Sequence, residues 1–245
     1  MKWRSTMKLS KKYFMTLLLS MTCLFLLGGC GQKKQTAYQQ YIQNLLDVNY
    51  KGIFTSYVND NGGTETDATN MYEDCMSHLS EQLITHYNLN TNKSVDVNTT
   101  FRAVARDIYS ASKYEVSEAY KENGDYYVDV TVYPIDILEQ SYDDIMSYIE
   151  TFNNDIANGV YNDYTEEEYG NTFALGIADI LSEQSKNMSY KDPVVIKALI
   201  EDDGEYYSIS KESLAEIDNS MIALEEAVND TDSESDTDIE NDTAN

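Results

Sequence analysis

Basic residues are scarce in this chain: 17 Lys and Arg stand against 43 Asp and Glu in 245 residues, a formal charge of −26. A polyanion partner needs positive charge opposite its phosphates, so nucleic acid is excluded as an expected partner. Histidine is limited to His78 and His86. They lie two turns apart on one expected helix, about 12 Å along its axis, so one metal ion cannot join both directly. Asp74, Cys75 and Glu81 lie nearby, but there is no His-Glu-x-x-His motif and no partner cysteine, so no metal or other cofactor is expected. Proline is limited to Pro134 and Pro193, so few breaks divide the ordered part. There is no Gly-x-Ser-x-Gly elbow, no phosphate-binding glycine loop and no Walker motif. Paired carboxylates carry no information among so many acids. No catalytic residue is therefore nominated, and an enzyme is not the expected reading.

Long hydrophobic runs are also missing, with one exception at the start. Lys2, Arg4, Lys8, Lys11 and Lys12 precede an apolar stretch from Tyr13 to Leu27. That stretch is shorter than the roughly 20 residues of a bilayer span. Its flanks are those of a cleaved signal, and Met7 would serve as an alternative start. Leu27-Gly28-Gly29-Cys30 reads as a lipobox. Cleavage before Cys30 and a thioether-linked diacylglycerol on its sulfur are expected, and would place the protein on the outer face of the cytoplasmic membrane. Several acyl chains on one residue anchor stably, because each buried CH₂ contributes about 0.8 kcal/mol. The expected divisions are residues 1–29 as signal peptide, 30–36 as lipidated tether, 37–228 as one globular domain and 229–245 as an acidic tail. Loss of residues 1–29 removes five bases and no acids, leaving a formal charge of −31. Cys23 leaves with the signal and Cys30 is lipidated, so Cys75 remains as a single thiol without an intramolecular partner.

Apolar periodicity organises the rest. Tyr38, Tyr41, Ile42, Leu45 and Asn49 fall at helical spacing over 36–50, ended by Lys51-Gly52. Ile53 to Val58 lead into a polar loop turned by Asn61-Gly62-Gly63. Further helices are expected over about 67–89 and 98–112. The period then changes from helical to alternating. Tyr114, Val116, Glu118 and Tyr120 alternate, Asn123-Gly124 turns the chain, and Tyr126, Val128, Val130 and Val132 share one face of the return strand. Pro134 ends this hairpin. Tyr142, Ile145, Met146, Ile149, Phe152 and Ile156 form the cleanest helical stripe, with Ser141 and Asp144 as its expected capping box. Thr165 and Glu168 offer a second box for a helix running to about Asn187. Val194–Ile200 and Tyr206–Ile209, joined by Asp203-Gly204, read as a second hairpin, followed by a short helix capped by Ser210. From Asn229 onward acids dominate without bases or aromatics, which predicts a disordered tail.

The expected fold class is α+β, with helices packed on a curved antiparallel sheet of about four strands. The two hairpins share Gly-acid-Tyr-Tyr at an 80-residue offset, so two degenerate helix–hairpin repeats are an alternative. Tyrosine is the one compositional excess, 21 residues. Its rigid ring and polar end suit recognition. Tyr127, Tyr133 and Tyr207 alternate with core-facing neighbours, and are the candidate floor of a sheet-side ligand groove for a peptide, a glycan or a small apolar molecule.

The segment Tyr41–Gly52 (YIQNLLDVNYKG), together with Tyr114-Glu115-Val116 leading to Tyr126–Pro134 (YYVDVTVYP), resembles a group of uncharacterised Firmicutes lipoproteins carrying a domain of unknown function. The resemblance implies a Gram-positive surface protein and brings no active-site residues. A helix-rich start followed by curved hairpins also resembles the cone-shaped NTF2-like fold. The combined expectation is a lipid-anchored extracytoplasmic binding or interaction module, with an envelope protein among the possible partners. A small-ligand-binding NTF2-like domain and a cell-envelope enzyme are the alternatives. A two-lobed solute receptor is disfavoured, because the chain lacks repeated βα units.

Overall fold

The computed structural model describes residues 23–24, 31–89 and 94–223. Cys30, residues 1–22 and 25–29 of the expected signal, and the acidic tail lie outside the described residues. The element order is β1 (Cys23–Leu24), α1 (Gly31–Lys51), α2 (Phe54–Asp60), α3 (Glu65–His86), α4 (Val95–Ser110), β2 (Lys113–Val116), β3 (Tyr120–Glu122), β4 (Asp125–Tyr133), α5 (Ile137–Ala157), α6 (Glu166–Gln184), a 3₁₀ turn (Ser185–Asn187), β5 (Val194–Asp202), β6 (Tyr206–Ile209) and α7 (Lys211–Ser220). The class is α+β, with helices against a curved antiparallel sheet. The strands run in the order β1-β6-β5-β4-β2, with β3 also on β4. β2 and β3 are two halves of one edge ribbon, and β1 falls within the segment expected to be cleaved. Without β1 the sheet has four ribbons.

α1 is the central helix. Tyr38, Tyr41, Ile42, Leu45, Leu46, Val48, Asn49 and Tyr50 are all buried, on more than one side of it, because the sheet lies on one flank and α3 and α4 on the other. The helix ends where Gly52 adopts φ +64°. Its N–H reaches the Val48 carbonyl at 3.2 Å and the Ile53 N–H reaches the Asp47 carbonyl at 3.1 Å, a left-handed helix end that glycine makes without steric cost. The next segment departs from expectation. Ile53–Val58 is not a lead-in to a loop, since α2 occupies Phe54–Asp60. No side chain caps this helix. It is held by burying Tyr57 and by Asn61, whose side chain accepts from Asn44 Nδ2 at 2.9 Å. Tertiary packing, not a local signal, forms it.

α3 begins with a capping box of Thr64 and Asp67. It closes at Asn88 (φ 49°), where the Leu89 N–H reaches the Ile84 carbonyl at 2.9 Å. α5 starts earlier than the sequence suggests. Its cap is Asp136, without a side-chain bond. Ser141 lies inside the helix, fully buried, and donates to the Ile137 carbonyl at 2.7 Å. The Ser141–Asp144 capping box does not exist. Only Ile135 separates Pro134 from the cap, and the Asp136 N–H is satisfied by the Ser189 carbonyl at 3.0 Å. The Thr165–Glu168 box forms as expected. Gly176 marks close packing: a Cβ there would fall 2.2 Å from the Tyr148 ring of α5.

Val128, Val130 and Val132 of β4 and Ile196, Ala198 and Ile200 of β5 form the inner face, buried under α1 and α7. The layers then run outward from α1 through α3 and α4 to α6, and α5 lies outermost, packed chiefly on α6. The two hairpins differ in their turns. Asn123 and Gly124 both have positive φ, the pattern of a two-residue I′ loop. In the second hairpin Gly204 alone does, and the Asp203 carboxylate accepts from the Glu205 and Tyr206 N–H groups at 2.9 and 2.8 Å.

Candidate functional site

The solvent side of the sheet holds two of the three nominated tyrosines. A bulge decides what surrounds them. Val116 pairs with Val130 and Tyr120 with Tyr127, so Ser117, Glu118 and Ala119 oppose only Val128 and Asp129. The extra residue is held at Ser117, whose N–H donates to Asp129 O and whose Oγ accepts from the Asp129 N–H, each at 2.9 Å. A one-residue insertion reverses the facing of everything after it. Tyr114 and Val116 therefore face inward, whereas Tyr120 turns outward beside Tyr127. The expected unbroken alternation from Tyr114 to Tyr120 is corrected by this bulge.

Tyr120 and Tyr127 rings lie 6.1 Å apart. The Lys197 ammonium sits 4.2 Å from the Tyr127 centroid and 5.8 Å from that of Tyr120, and pairs with Glu122 at 2.8 Å. Tyr120 donates to Asp129 Oδ1 at 2.8 Å. Partial desolvation and then this carboxylate raise the phenol pKa above its usual value. At the far end of β4, Lys113 lies 4.0 Å over the Tyr133 ring and 5.8 Å from that of Tyr190. Tyr133 donates to Glu115 Oε1 at 2.9 Å, and that bond raises its pKa. Tyr127 and Tyr133 are six residues apart on one strand, about 20 Å. Asp129, Thr131, Lys197 and the exposed Val195 fill the interval. Two aromatic–lysine clusters thus bracket a flat polar strip. The lysine stems lie along the rings and carry two of the chain's few cations onto this face.

Tyr207 is not part of that strip. It pairs with Asp202 on the inner side, is 7% exposed, and meets Tyr38 and Tyr41 edge to face at 4.9 and 5.3 Å. Asp202 beside it binds Lys34 at 2.9 Å and the Tyr38 hydroxyl, tying the start of α1 to the second hairpin. The matched residues Tyr127 and Tyr207 of the two Gly-acid-Tyr-Tyr turns therefore face opposite sides of the sheet. Sequence reasoning missed Tyr120, Lys113 and Lys197. The lysines were legible as outward positions paired with Tyr133 and next to Tyr127; Tyr120 was hidden by the bulge.

A second polar cluster lies inside the helical layers. The Tyr50 hydroxyl donates to Asp218 of α7, and the Tyr50 ring packs on Tyr109 at 5.1 Å. Burial pushes the Asp218 carboxyl up to about 6, against the opposing effects of the Tyr50 bond and the nearby His78 charge. Burial first, then Asp218, raises the Cys75 thiol well above its usual value. Cys75 points into the core and His78 out to solvent. Among the described residues no group of three or more His, Cys, Asp or Glu gathers as a metal site. Among the same residues no helix is long and apolar enough to cross a membrane.

No family model matches the chain, and no curated protein matches its sequence. A solved structure does: that of a Bacillus subtilis protein described as a candidate lipoprotein (ycdA), with a TM-score of 0.53 at 13% identity. The likeness is one of fold. The match covers 76% of this chain and 56% of that protein, so this chain spans little more than half of that neighbour's length.

Proposed function

We propose that this protein is a lipid-anchored extracytoplasmic binding module, and that the outer face of its sheet is the recognition surface. The observation that carries the reading is the strip between Tyr120–Tyr127 and Tyr133, where ring faces, lysines and carboxylates alternate on the solvent side of a rigid four-ribbon sheet. Tyrosine offers contact area at low entropic cost, and planar rings beside hydrogen-bonding groups suit an extended peptide of an envelope protein or a glycan. The lipobox ending at Cys30 supplies the anchor, and the fold likeness to a candidate lipoprotein agrees with it. The anchor confines the module near its partner and raises the partner's effective concentration.

Photocrosslinking in the native envelope tests this. A crosslinking residue at Thr131 or Val195, on the outer face, should form discrete adducts that disappear when Tyr127→Ala and Tyr133→Ala are combined. The same probe at Glu212, on α7, should form none of them. Equal adducts from both sides, or adducts indifferent to the tyrosines, would remove the sheet face as the recognition surface.

A further inference from the structure

The helix with the cleanest apolar stripe does not bury all of it. On α5, Ile145 and Phe152 are buried, but Tyr142, Met146 and Ile156 are 57%, 46% and 40% exposed. These three share a helix face with Ile149, following the i, i+4, i+7, i+14 spacing. Val160 and Tyr164, 56% and 47% exposed, continue the apolar surface beyond the helix end. Single exposed apolar residues are ordinary, whereas a continuous line along one helix marks a contact surface. From Tyr142 to Ile156 the line is about 21 Å long, the length of four turns of a partner helix.

Charge says which partner. Asp143 and Glu150 run along the solvent edge of the stripe and make no ion pair among the described residues. Between Ile135 and Ser185 there are twelve acids and no Lys, Arg or His. Asp136 and Glu139 pair with Lys191, and Glu183 with Lys186; these pairs lie at the start of α5 and the end of α6, and leave the acids beside the exposed stripe unpaired among the described residues. A second copy of this face would oppose acid to acid, the acidic tail would do the same, and an anionic membrane surface would be repelled.

We propose that the outer face of α5 docks a cationic amphipathic helix of a partner protein, its apolar side on Tyr142, Met146, Ile149 and Ile156 and its basic flank along Asp143 and Glu150. Such an interaction is the helix-on-apolar-strip mode, with Met146 as the adaptable contact. It is a second face, remote in the layering from the sheet strip, and it shares with the preceding reading only the premise that the protein works by binding.

Fluorescence anisotropy on the mature lipoprotein in zwitterionic nanodiscs tests it, with empty nanodiscs as background. The probe is a labelled Leu/Lys peptide with leucines at helical spacing; the controls are a peptide of the same composition with the spacing scrambled, and a Leu/Glu counterpart. The spaced Leu/Lys peptide should bind saturably and the controls should not. Combined Tyr142→Ser, Met146→Ser and Ile156→Ser substitutions, all at exposed positions and checked for an unchanged fold by circular dichroism, should weaken binding at least about tenfold. Asp143→Lys with Glu150→Lys should weaken it similarly and flatten its salt dependence. Combined Tyr127→Ala and Tyr133→Ala should leave it unchanged. Scrambled or acidic peptides binding equally well, either α5 variant binding like the wild type, or a self-association abolished by the triple substitution would each overturn the proposal. Loss of crosslinks at Thr131 with peptide binding intact would instead remove the sheet-face reading alone.

Discussion

Asp218 is a carboxylate buried in an environment that opposes its ionisation. Its folded-state pKa, about 6, lies above the ordinary 3.8. Between those values the folded protein holds a proton that the unfolded chain has released. Stability therefore falls as pH rises from about 4 to about 6, and the ionised carboxylate costs roughly 2–3 kcal/mol at neutral pH. Asp218→Asn keeps an acceptor for the Tyr50 hydroxyl and removes the charge. Urea unfolding should show this variant more stable by roughly 1–2 kcal/mol at neutral pH, with little change near pH 4. A variant less stable at both would mean that the charge is compensated in the native state. Glycine gives a second test at this scale. Gly62 has φ +70° and open space around it, whereas a Cβ at Gly63 would fall 2.2 Å from the buried Tyr57 ring. Gly63→Ala should cost roughly 1–3 kcal/mol through overpacking. Gly62→Ala should cost about 1 kcal/mol through backbone strain alone. Chemical denaturation midpoints rank the two. Sequence alone assigns both glycines to one turn; only the position of Tyr57 separates their roles.

At the level of elements, helices were legible where a capping box or an apolar stripe spoke, and misplaced where tertiary contacts decided. Thr165 and Glu168 satisfy orphan N–H groups at the start of α6, so Thr165→Ala should cost about 1 kcal/mol. Ser141 caps nothing: it sits one turn inside α5 and donates back to Ile137. Ser141→Ala should change stability by less than about 0.5 kcal/mol, and thermal melts of the two alanine variants compare them directly. The Asn123-Gly124 hairpin was readable because both turn residues take positive φ, as an I′ loop requires. The bulge at Ser117 was not readable. Its residues alternate as well as any strand, and the insertion shows only in the partner's register. That single residue explains why Tyr120 joined the outer strip; Tyr207 turns inward through the separate register of β6 on β5. α5 carries the converse lesson. Its apolar period predicted burial, but as the outermost helix it has a neighbour on one side only, so part of a perfect stripe remains in solvent.

Across the whole molecule, the layering separates two chemistries. The sheet's outer face brings Lys113 and Lys197 over tyrosine rings, whereas the α5–α6 pair at the far end of the helical layers carries acids without a base. Fold class was legible because the change from helical to alternating period falls between α4 and β2. The proposed recognition surface was only partly legible, since facing depends on register, and the proposed partner's chemistry depends on which apolar stripe the layers leave uncovered. The chain's excess of negative charge would repel an anionic bilayer, in keeping with the proposed tether at a membrane surface. Cys75, buried with its thiol pKa raised, should resist alkylation in the native protein and react once it is unfolded, as mass-detected labelling with and without denaturant will show.

The proposed anchor at Cys30 would fix where binding takes place. Intact mass spectrometry of the protein extracted from host membranes tests it most directly. The account predicts a chain beginning at Cys30 with a diacylglycerol on its sulfur, and the loss of that species from the membrane when Cys30→Ala is introduced. A chain that keeps residues 1–29, or one that begins elsewhere with Cys30 unmodified, would contradict it.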